Sequence, residues 1–416
     1  MGTSGDTPEV SAPKTLLLTL TGRDRPGVTS AVFSTVAAFG VEVLDIEQIV
    51  LRRRLVLGVL VTAPRDWMSL RAAVERVAGE LDMQVEVDRG TGDNRERGGG
   101  RSHVTVLGMP LKPAAVAAIA GRIADTGANI DRIERMARYP VTAIDLHVSG
   151  VNPNRLRVVL AEEAARQSVD VAVQPANLLR HGIRLIVMDV DSTLVQGEVI
   201  EMLADHAGCK AEVAAVTEAA MRGELDFEQS LRERVALLKG LDASCLEEVY
   251  DAIELAPGAR TLVRTLKRLG YRFAIVSGGF SSVTERIAAD LGIDYSAANE
   301  LEVVDGKLTG NILGNVLDRA GKAAALRRFA AEVGVSEAAT IAIGDGANDL
   351  DMLSAAGLGI AFNAKPAVQH AADTSVNVPY LDAIIYLLGI SREEVEAADA
   401  EMGIVTPAPP LLPRDK

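Results

Sequence analysis

Over the first half of the chain, short apolar runs alternate with amphipathic stretches. Thr15–Leu20, Val41–Val50, Leu55–Val61 and Met83–Val87 read as strands, and Ser69–Gly79 reads as a helix. The same order then returns. A shift of 87 residues places Leu20 on Leu107, Pro26 on Pro113, Val32 on Ile119, Val36 on Ile123, Gly40 on Gly127, Ile46 on Ile133 and Glu47 on Glu134. In the second copy, Val116, Ile119, Ala120, Ile123 and Ala124 recur at three- and four-residue spacing, which lines one face of a helix. A glycine closes that helix in both copies, Gly40 and Gly127, as a left-handed cap would. The pattern predicts two α+β modules of βαββαβ order, at 14–95 and 101–176. They are joined by the Gly-rich, charged stretch Arg89–Gly100. A tighter junction at Gln174-Pro175-Ala176 precedes a new apolar strand at Leu185. From Gly182 onward strand and helix signals alternate, which predicts an α/β domain at 183–394 built on a Rossmann-like, doubly wound parallel sheet. Some sixty mostly helical residues, about 198–257, are too many for a simple crossover and predict a helical cap. Residues 1–13 and 395–416 read as tails.

Composition narrows the function classes. Of 416 residues, 43 are Lys or Arg and 57 Asp or Glu, for a net charge of −14, and only 3% are aromatic. A general nucleic-acid binder needs the opposite charge and rings to stack on bases, so no nucleic-acid partner is expected. No apolar run approaches the ~18 residues of a membrane span, and the opening residues lack the basic and apolar blocks of a signal peptide. The expectation is a cytoplasmic protein with no membrane partner. Cys209 and Cys245 match neither a disulfide scaffold nor a zinc spacing.

The chemistry-bearing residues lie in the second half, each group directly after an apolar strand. Leu185–Met188 leads into Asp189-Val-Asp191-Ser-Thr193, Phe273–Val276 into Ser277-Gly278-Gly279, and Ile341–Ile343 into Gly344-Asp345-Gly-Ala-Asn348-Asp349. In an open α/β sheet, residues just past the carboxyl ends of the strands converge on one crevice. Lys322 opens the helical run Gly321–Val333 between the last two groups. Carboxylates gathered so closely repel by about 4 kcal/mol per pair at an effective dielectric near 20, and stay ionised together only around a cation. An all-oxygen donor set points to Mg²⁺ rather than zinc. Hydroxyls and N–H groups of Ser192, Thr193 and Ser277, with Gly278 and Gly279, suit phosphate oxygens, and Lys322 supplies a point charge. With a net charge of −14, an anionic substrate must be held by such local positives, although a Debye length of about 8 Å keeps the global repulsion weak at the site. Asp189 is then the candidate nucleophile and Asp191 the candidate general acid and base.

Two resemblances extend this reading. Leu18-Thr-Leu-Thr-Gly-Arg-Asp-Arg-Pro-Gly27 ahead of an amphipathic helix resembles the opening of an ACT domain, a small amino-acid-sensing module. The second copy lacks the Asp and the Pro-Gly pair. The likeness implies that Gly22, Asp24 and Gly108 contact a regulatory amino acid, and that paired modules make a homodimer. Taken without it, the glycines permit tight turns. The Arg52-Arg53-Arg54 run reads as a solvated hairpin tip.

The four motifs Asp-x-Asp-Ser-Thr, Ser-Gly-Gly, Lys and Gly-Asp-Gly-Ala-Asn-Asp, in order, resemble the haloacid dehalogenase superfamily. That likeness implies that Asp189 and Asp345 bind Mg²⁺ through their carboxylates and Asp191 through its backbone carbonyl. Asp349 would steady the metal's water and Asn348 would contact phosphate; on its own, Asp349 is also a fitting first-turn helix acid. Within the cap, Met221-Arg-Gly-Glu-Leu-Asp-Phe-Glu-Gln-Ser-Leu-Arg-Glu-Arg-Val235 and Leu194-Val-Gln-Gly-Glu198 are similar to the phosphoserine phosphatases of that superfamily. The similarity implies that Glu198 meets the substrate ammonium and Arg234 its carboxylate, with L-serine as product and regulator. Without it, Glu198 is a cap-hinge acid and Arg234 a surface helix residue. A phosphatase for another small ester or a phosphoprotein, or an amino-acid-sensing regulator, remains the alternative.

Overall fold

The computed structural model describes residues 14–91, 100–177, 182 and 184–406, and only the backbone of Met221. The expected leading tail, most of the Gly-rich linker and residues 407–416 lie outside the described residues. The chain divides into two compact units, one ending at Arg97 and the other beginning at Gly98.

The first unit runs β1 (Lys14–Arg23), α1 (Val28–Ala37), β2 (Val43–Leu51), β3 (Arg54–Thr62), α2 (Trp67–Glu80) and β4 (Met83–Thr91). Its antiparallel sheet has the order β2-β3-β1-β4. Alternation sends Leu16, Leu18 and Leu20 of β1 inward, where Val28, Val32 and Val36 of α1 and Leu70, Val74 and Ala78 of α2 cover them. Asp66 caps α2 by accepting the Ser69 N–H at 3.2 Å. At the β2–β3 hairpin tip, Arg52 and Arg53 adopt φ of 46° and 66° and are exposed, as expected for a solvated turn.

The second unit opens with the repeat: β5 (Arg101–Gly108), α3 (Pro113–Asp125), β6 (Asn129–Ala137), β7 (Thr142–Ser149), α4 (Pro153–Gln167) and β8 (Asp170–Pro175), with sheet order β6-β7-β5-β8. Its helices cover one sheet face through Ile119, Ile123, Leu156 and Leu160. Leu107, Ala143 and Ala172 on the other face join the core of the α/β domain, so this module and that domain share one apolar interior. Polar contacts reinforce the junction: Asp170 accepts both the backbone N–H and the side-chain amide of Asn377 at 2.7 Å, and Gln174 donates to the Leu387 carbonyl at 2.6 Å.

The α/β domain follows as β9 (Leu185–Met188), α5 (Val199–Ala207), α6 (Lys210–Met221), α7 (Phe227–Ala236), α8 (Cys245–Ala252), α9 (Ala259–Arg268), β10 (Arg272–Phe280), α10 (Ser281–Leu291), β11 (Tyr295–Val304), β12 (Lys307–Leu313), α11 (Arg319–Val333), β13 (Thr340–Gly344), α12 (Leu350–Ala355), β14 (Leu358–Phe362), α13 (Pro366–Ala371), β15 (Thr374–Val376), α14 (Ile384–Leu387) and α15 (Arg392–Glu401). The sheet order is β12-β11-β10-β9-β13-β14-β15, parallel except for β12. Central strands bury both faces. Ile186, Met188, Phe273, Ile275, Ile341 and Ile343 point into one helical layer, while Leu185, Val187, Ala274 and Ala342 point into the other. The chain leaves β9 towards β10 and β11, then returns to β13 and runs the opposite way, so the switch point lies at β9. Helices α5–α8 occupy the expected cap interval.

The sequence expectation of a tail from residue 395 needs correction. Residues 395–401 belong to α15, which the Ser391–Glu394 capping box starts. Asp399, fully buried, receives Arg264 through two bonds of 2.5 and 3.0 Å and Arg268 at 3.1 Å. Burial alone would raise this carboxyl, but the bonds from Arg264, Thr406 and Arg268 hold it below the ordinary aspartate value. A lowered native value stabilises above the unfolded pKa and is lost as pH falls through the native one. Asp399→Ala should therefore cost about 3 kcal/mol at neutral pH, the low end for breaking a buried pair because both arginines keep some solvent. In thermal unfolding, its deficit against wild type should shrink as pH falls below about 4, near the unfolded aspartate value. An unchanged midpoint at neutral pH would mean that α15 is indeed a dispensable tail.

Candidate active site

The site forms where β9, β10 and β13 end. After β9 the Asp189 N–H donates to the Ile343 carbonyl at 2.9 Å, tying the first loop to β13. Ser192 takes a left-handed φ of 56° and donates its N–H to the Gly197 carbonyl, and Leu194 N–H closes back on Val190. These bonds turn the loop so that Asp189 and Asp191 face one side. Asp191 is held at both oxygens: Oδ1 accepts the Val199 N–H at 2.8 Å and Oδ2 accepts the Ser277 hydroxyl at 2.9 Å. Ser277 Oγ in turn accepts the Gly279 N–H at 2.7 Å. The hydroxyl is thus spent on positioning Asp191.

Lys322 decides the electrostatics. It is fully buried, and its Nζ lies 2.7 Å from Asp189 Oδ1 and 2.7 Å from Asp349 Oδ1. Burial works against its charge, but Asp189 and Asp349 together raise its pKa above the ordinary lysine value. The ammonium thus bridges the two carboxylates that follow β9 and β13. Asp349 also accepts the Gly346 N–H at 3.0 Å, and Thr193 Oγ1 donates to Asp345 at 3.2 Å. Asp189, Asp345 and Asp349 bring carboxylate oxygens within 4.8 Å of one another. Burial, then Asp349, pushes the Asp345 carboxyl up to about 6. Burial holds Asp189 well above the usual range despite the attraction of Lys322. Three acids against one lysine leave a deficit of positive charge, and the donors are all oxygen, so the cluster fits a hard divalent cation.

Above this floor lies a cavity of about 390 Å³ whose walls include Asp189, Asp191, Gly278, Asp345 and Asn348 from the core and Glu198, Phe227 and Arg234 from the cap. The residues expected of a phosphatase are brought to one place, with Ser277, Lys322 and Asp349 fully buried behind the wall. Burial, then Asp191, pushes the Glu198 carboxyl up to about 7, with Arg234 opposing. Burial lowers Arg234 from the ordinary arginine value while Glu198 and Asp191 oppose that shift. The opposite charges of Glu198 and Arg234 thus face a single small chamber.

The residues expected to bind a regulator are elsewhere. Gly22 pairs with Met83 across β1 and β4, where an added Cβ would come within 2.7 Å of the Met83 side chain; Asp24 is exposed beyond it. Gly108 ends β5, where a Cβ would meet the Leu111 backbone at 2.8 Å, and it lines a separate cavity of about 430 Å³ with Asp170 and Asn377. Close packing accounts for both glycines.

Comparison with known proteins agrees with this geometry. A family model for haloacid dehalogenase-like hydrolases matches residues 186–354, and two ACT domain models match 14–88 and 101–174. A phosphoserine phosphatase of Streptomyces coelicolor is 61% identical over 94% of this chain and 96% of its own length. The chain belongs to the phosphoserine phosphatase family. Its relative in Mycobacterium tuberculosis is 51% identical over 94% of this chain and 96% of that protein. The crystal structure of a probable phosphoserine phosphatase from Vibrio cholerae aligns with a TM-score of 0.56 at 34% identity, over 72% of this chain and 88% of that one.

Sequence reasoning missed Asn363 and Lys365, which line the cavity just past β14. The rule that found the other motifs, polar residues after an apolar strand, applies to Phe362-Asn363-Ala-Lys365 as well. Lys365 is an exposed cation that lines the same cavity.

In metal-free buffer near pH 7, Lys322→Met leaves buried carboxylates uncompensated and should lower stability by about 3–5 kcal/mol. Lys322 lowers both Asp189 and Asp345, so without it these carboxyls rise further above their unfolded values; the variant gains more from their protonation, and its deficit should narrow as pH falls from 7 towards 5. Denaturation series at both values check this; a deficit of equal size at each contradicts the ion-pair account.

Proposed function

We propose that this chain is a Mg²⁺-dependent phosphatase that hydrolyses O-phospho-L-serine to L-serine and phosphate, the last step of serine biosynthesis. The support is one arrangement: a carboxylate, Asp189, in the wall of a chamber that the cap lines with one acid and one arginine. Phosphoserine has an ammonium, a carboxylate and a phosphoester, and Glu198, Arg234 and Asp189 offer a counterpart to each. A guanidinium also grips a carboxylate through two parallel bonds, which a lysine cannot do.

In the first step an Asp189 oxygen attacks phosphorus, the bond from phosphorus to the serine oxygen breaks, and Asp191 gives its proton to that oxygen. In the second, Asp191 takes a proton from water, the water oxygen attacks phosphorus, and the bond to Asp189 breaks to free phosphate. Ser277 and the Val199 N–H keep Asp191 in place through both steps, while Lys322 holds Asp189 and Asp349. Gly278, Asn348 and Lys365 line the chamber as contacts for phosphate oxygens. Asp189, Asp345 and Asp349, with the Asp191 backbone carbonyl, would hold Mg²⁺, whose charge offsets the repulsion between carboxylate and phosphate.

The ACT modules make L-serine the proposed feedback ligand, with Gly22, Asp24 and Gly108 beside its binding loops. A homodimer through these modules is the proposed assembly. Leu17, Ile49 and Val56 support it, since they stand exposed on the sheet face of the first module that its helices leave open.

Phosphate release from O-phospho-L-serine, with and without Mg²⁺ and then with added L-serine, tests the reading. Turnover should need the metal and fall with serine, and metal-independent turnover would overturn the proposed site. Arg234→Ala should raise KM for phosphoserine at least tenfold while changing KM for p-nitrophenyl phosphate little, since that ester has no carboxylate to bind. Equal increases for both esters would remove Arg234 from substrate recognition.

A further inference from the structure

The sheet of the second module carries a second cluster of ligating side chains, far in kind from the all-oxygen cluster above. His103 of β5 stands directly opposite His147 of β7, and Glu134 of β6 stands opposite Asp145 of β7. Residues paired across an antiparallel ladder share a face, and residues 145 and 147 share one by the two-residue period. All four therefore project from one side of the sheet.

The distances are close to those of a metal shell. His103 Nδ1 lies 2.7 Å from Asp145 Oδ2, and His147 Nε2 lies 3.7 Å from the same oxygen and 3.7 Å from Glu134 Oε2. Donor atoms of His103, Asp145 and His147 all fall within 4.8 Å of one another. A tetrahedral ion with ligands at about 2.0–2.1 Å spaces its donors by about 3.4 Å, in the middle of the observed range. Asp145 is buried and its other oxygen accepts the Thr105 hydroxyl at 3.1 Å, the kind of outer contact that fixes a ligating carboxylate. The face opens onto a cavity of about 410 Å³ whose other wall is Tyr271, Leu388 and Gly389 of the α/β domain.

We propose that His103, Asp145, His147 and Glu134 form a second metal site, selective for zinc, at the junction of the second module with the α/β domain. Two imidazoles with two carboxylates suit a borderline transition ion, whereas Mg²⁺ prefers oxygen alone. Bound zinc would tie β5, β6 and β7 together beside the segment joining α14 to α15, and so strengthen the docking of the module without entering the chemistry of hydrolysis. The competing account is a hydrogen-bonded His103–Asp145 pair that only satisfies a buried carboxylate.

The full-length protein, stripped with chelator and returned to excess Mg²⁺ so that the acidic cluster is filled, is titrated with Zn²⁺ by calorimetry. One zinc per chain should bind and raise the thermal midpoint. His103→Ala and His147→Ala should each weaken it about a hundredfold, the upper end of what altering even an outer contact costs. Asp345→Asn should leave it unchanged. Zinc that the histidine variants bind as tightly as wild type, or no zinc at all, overturns the proposal in favour of the hydrogen-bonded pair. Should the variants not fold, X-ray absorption of the wild-type zinc protein decides: two imidazoles per ion support the site, and an all-oxygen shell refutes it.

Discussion

A single buried ammonium organises the catalytic half of this protein. Lys322 lies fully inside, in contact with Asp189 and Asp349, and each partner belongs to a different strand-end loop. Two carboxylates held this close without a cation would protonate or move apart. With the lysine between them, the loops after β9 and β13 share one charge balance, and α11 is pinned to both. The desolvation of three charges is a cost that only good geometry offsets, and the contacts of 2.7 Å on each side supply it. Asp345 then faces a net negative floor, which is where a divalent cation belongs.

The upper half of the site follows different physics. The core loops present acids and backbone donors, whereas the cap presents an acid and a guanidinium in a partly apolar setting with Phe227 and Leu231. Removal from water makes any unmatched charge in such a setting costly, so a ligand must offer each of these groups a counterpart. The second ACT module adds a further constraint, since it shares an apolar interior with the α/β domain and has its own polar contacts to it through Asp170 and Gln174.

Much of this was legible in the chain. The 87-residue repeat places the start of every element in the second module within two residues of its counterpart in the first. The three polar groups after apolar strands led to the crevice because a parallel sheet leaves them nowhere else to go. Other features were not legible for physical reasons. Sequence shows the charge of Lys322 but not its depth, so its bridge between Asp189 and Asp349 is visible only in the fold. Asp399 looked like part of a polar tail, since only the tertiary fold shows Arg264 and Arg268 waiting for it. His103, Glu134, Asp145 and His147 form no recognisable spacing, because antiparallel register rather than proximity in sequence brings them together. Lys365, by contrast, follows the same strand-end rule as the other polar groups.

The central claim is that Asp189, held by Lys322, carries the phosphoryl group between substrate and water. Rapid acid quench of the Mg²⁺-loaded enzyme with O-phospho-L-serine labelled on phosphorus, followed by peptide mapping, tests it most directly. The account predicts a transient, base-labile label on the peptide containing Asp189, formed no more slowly than steady-state turnover and absent from Asp189→Asn. Label on Ser192 or Thr193 instead, or turnover in Asp189→Asn above about a thousandth of wild type, would contradict it.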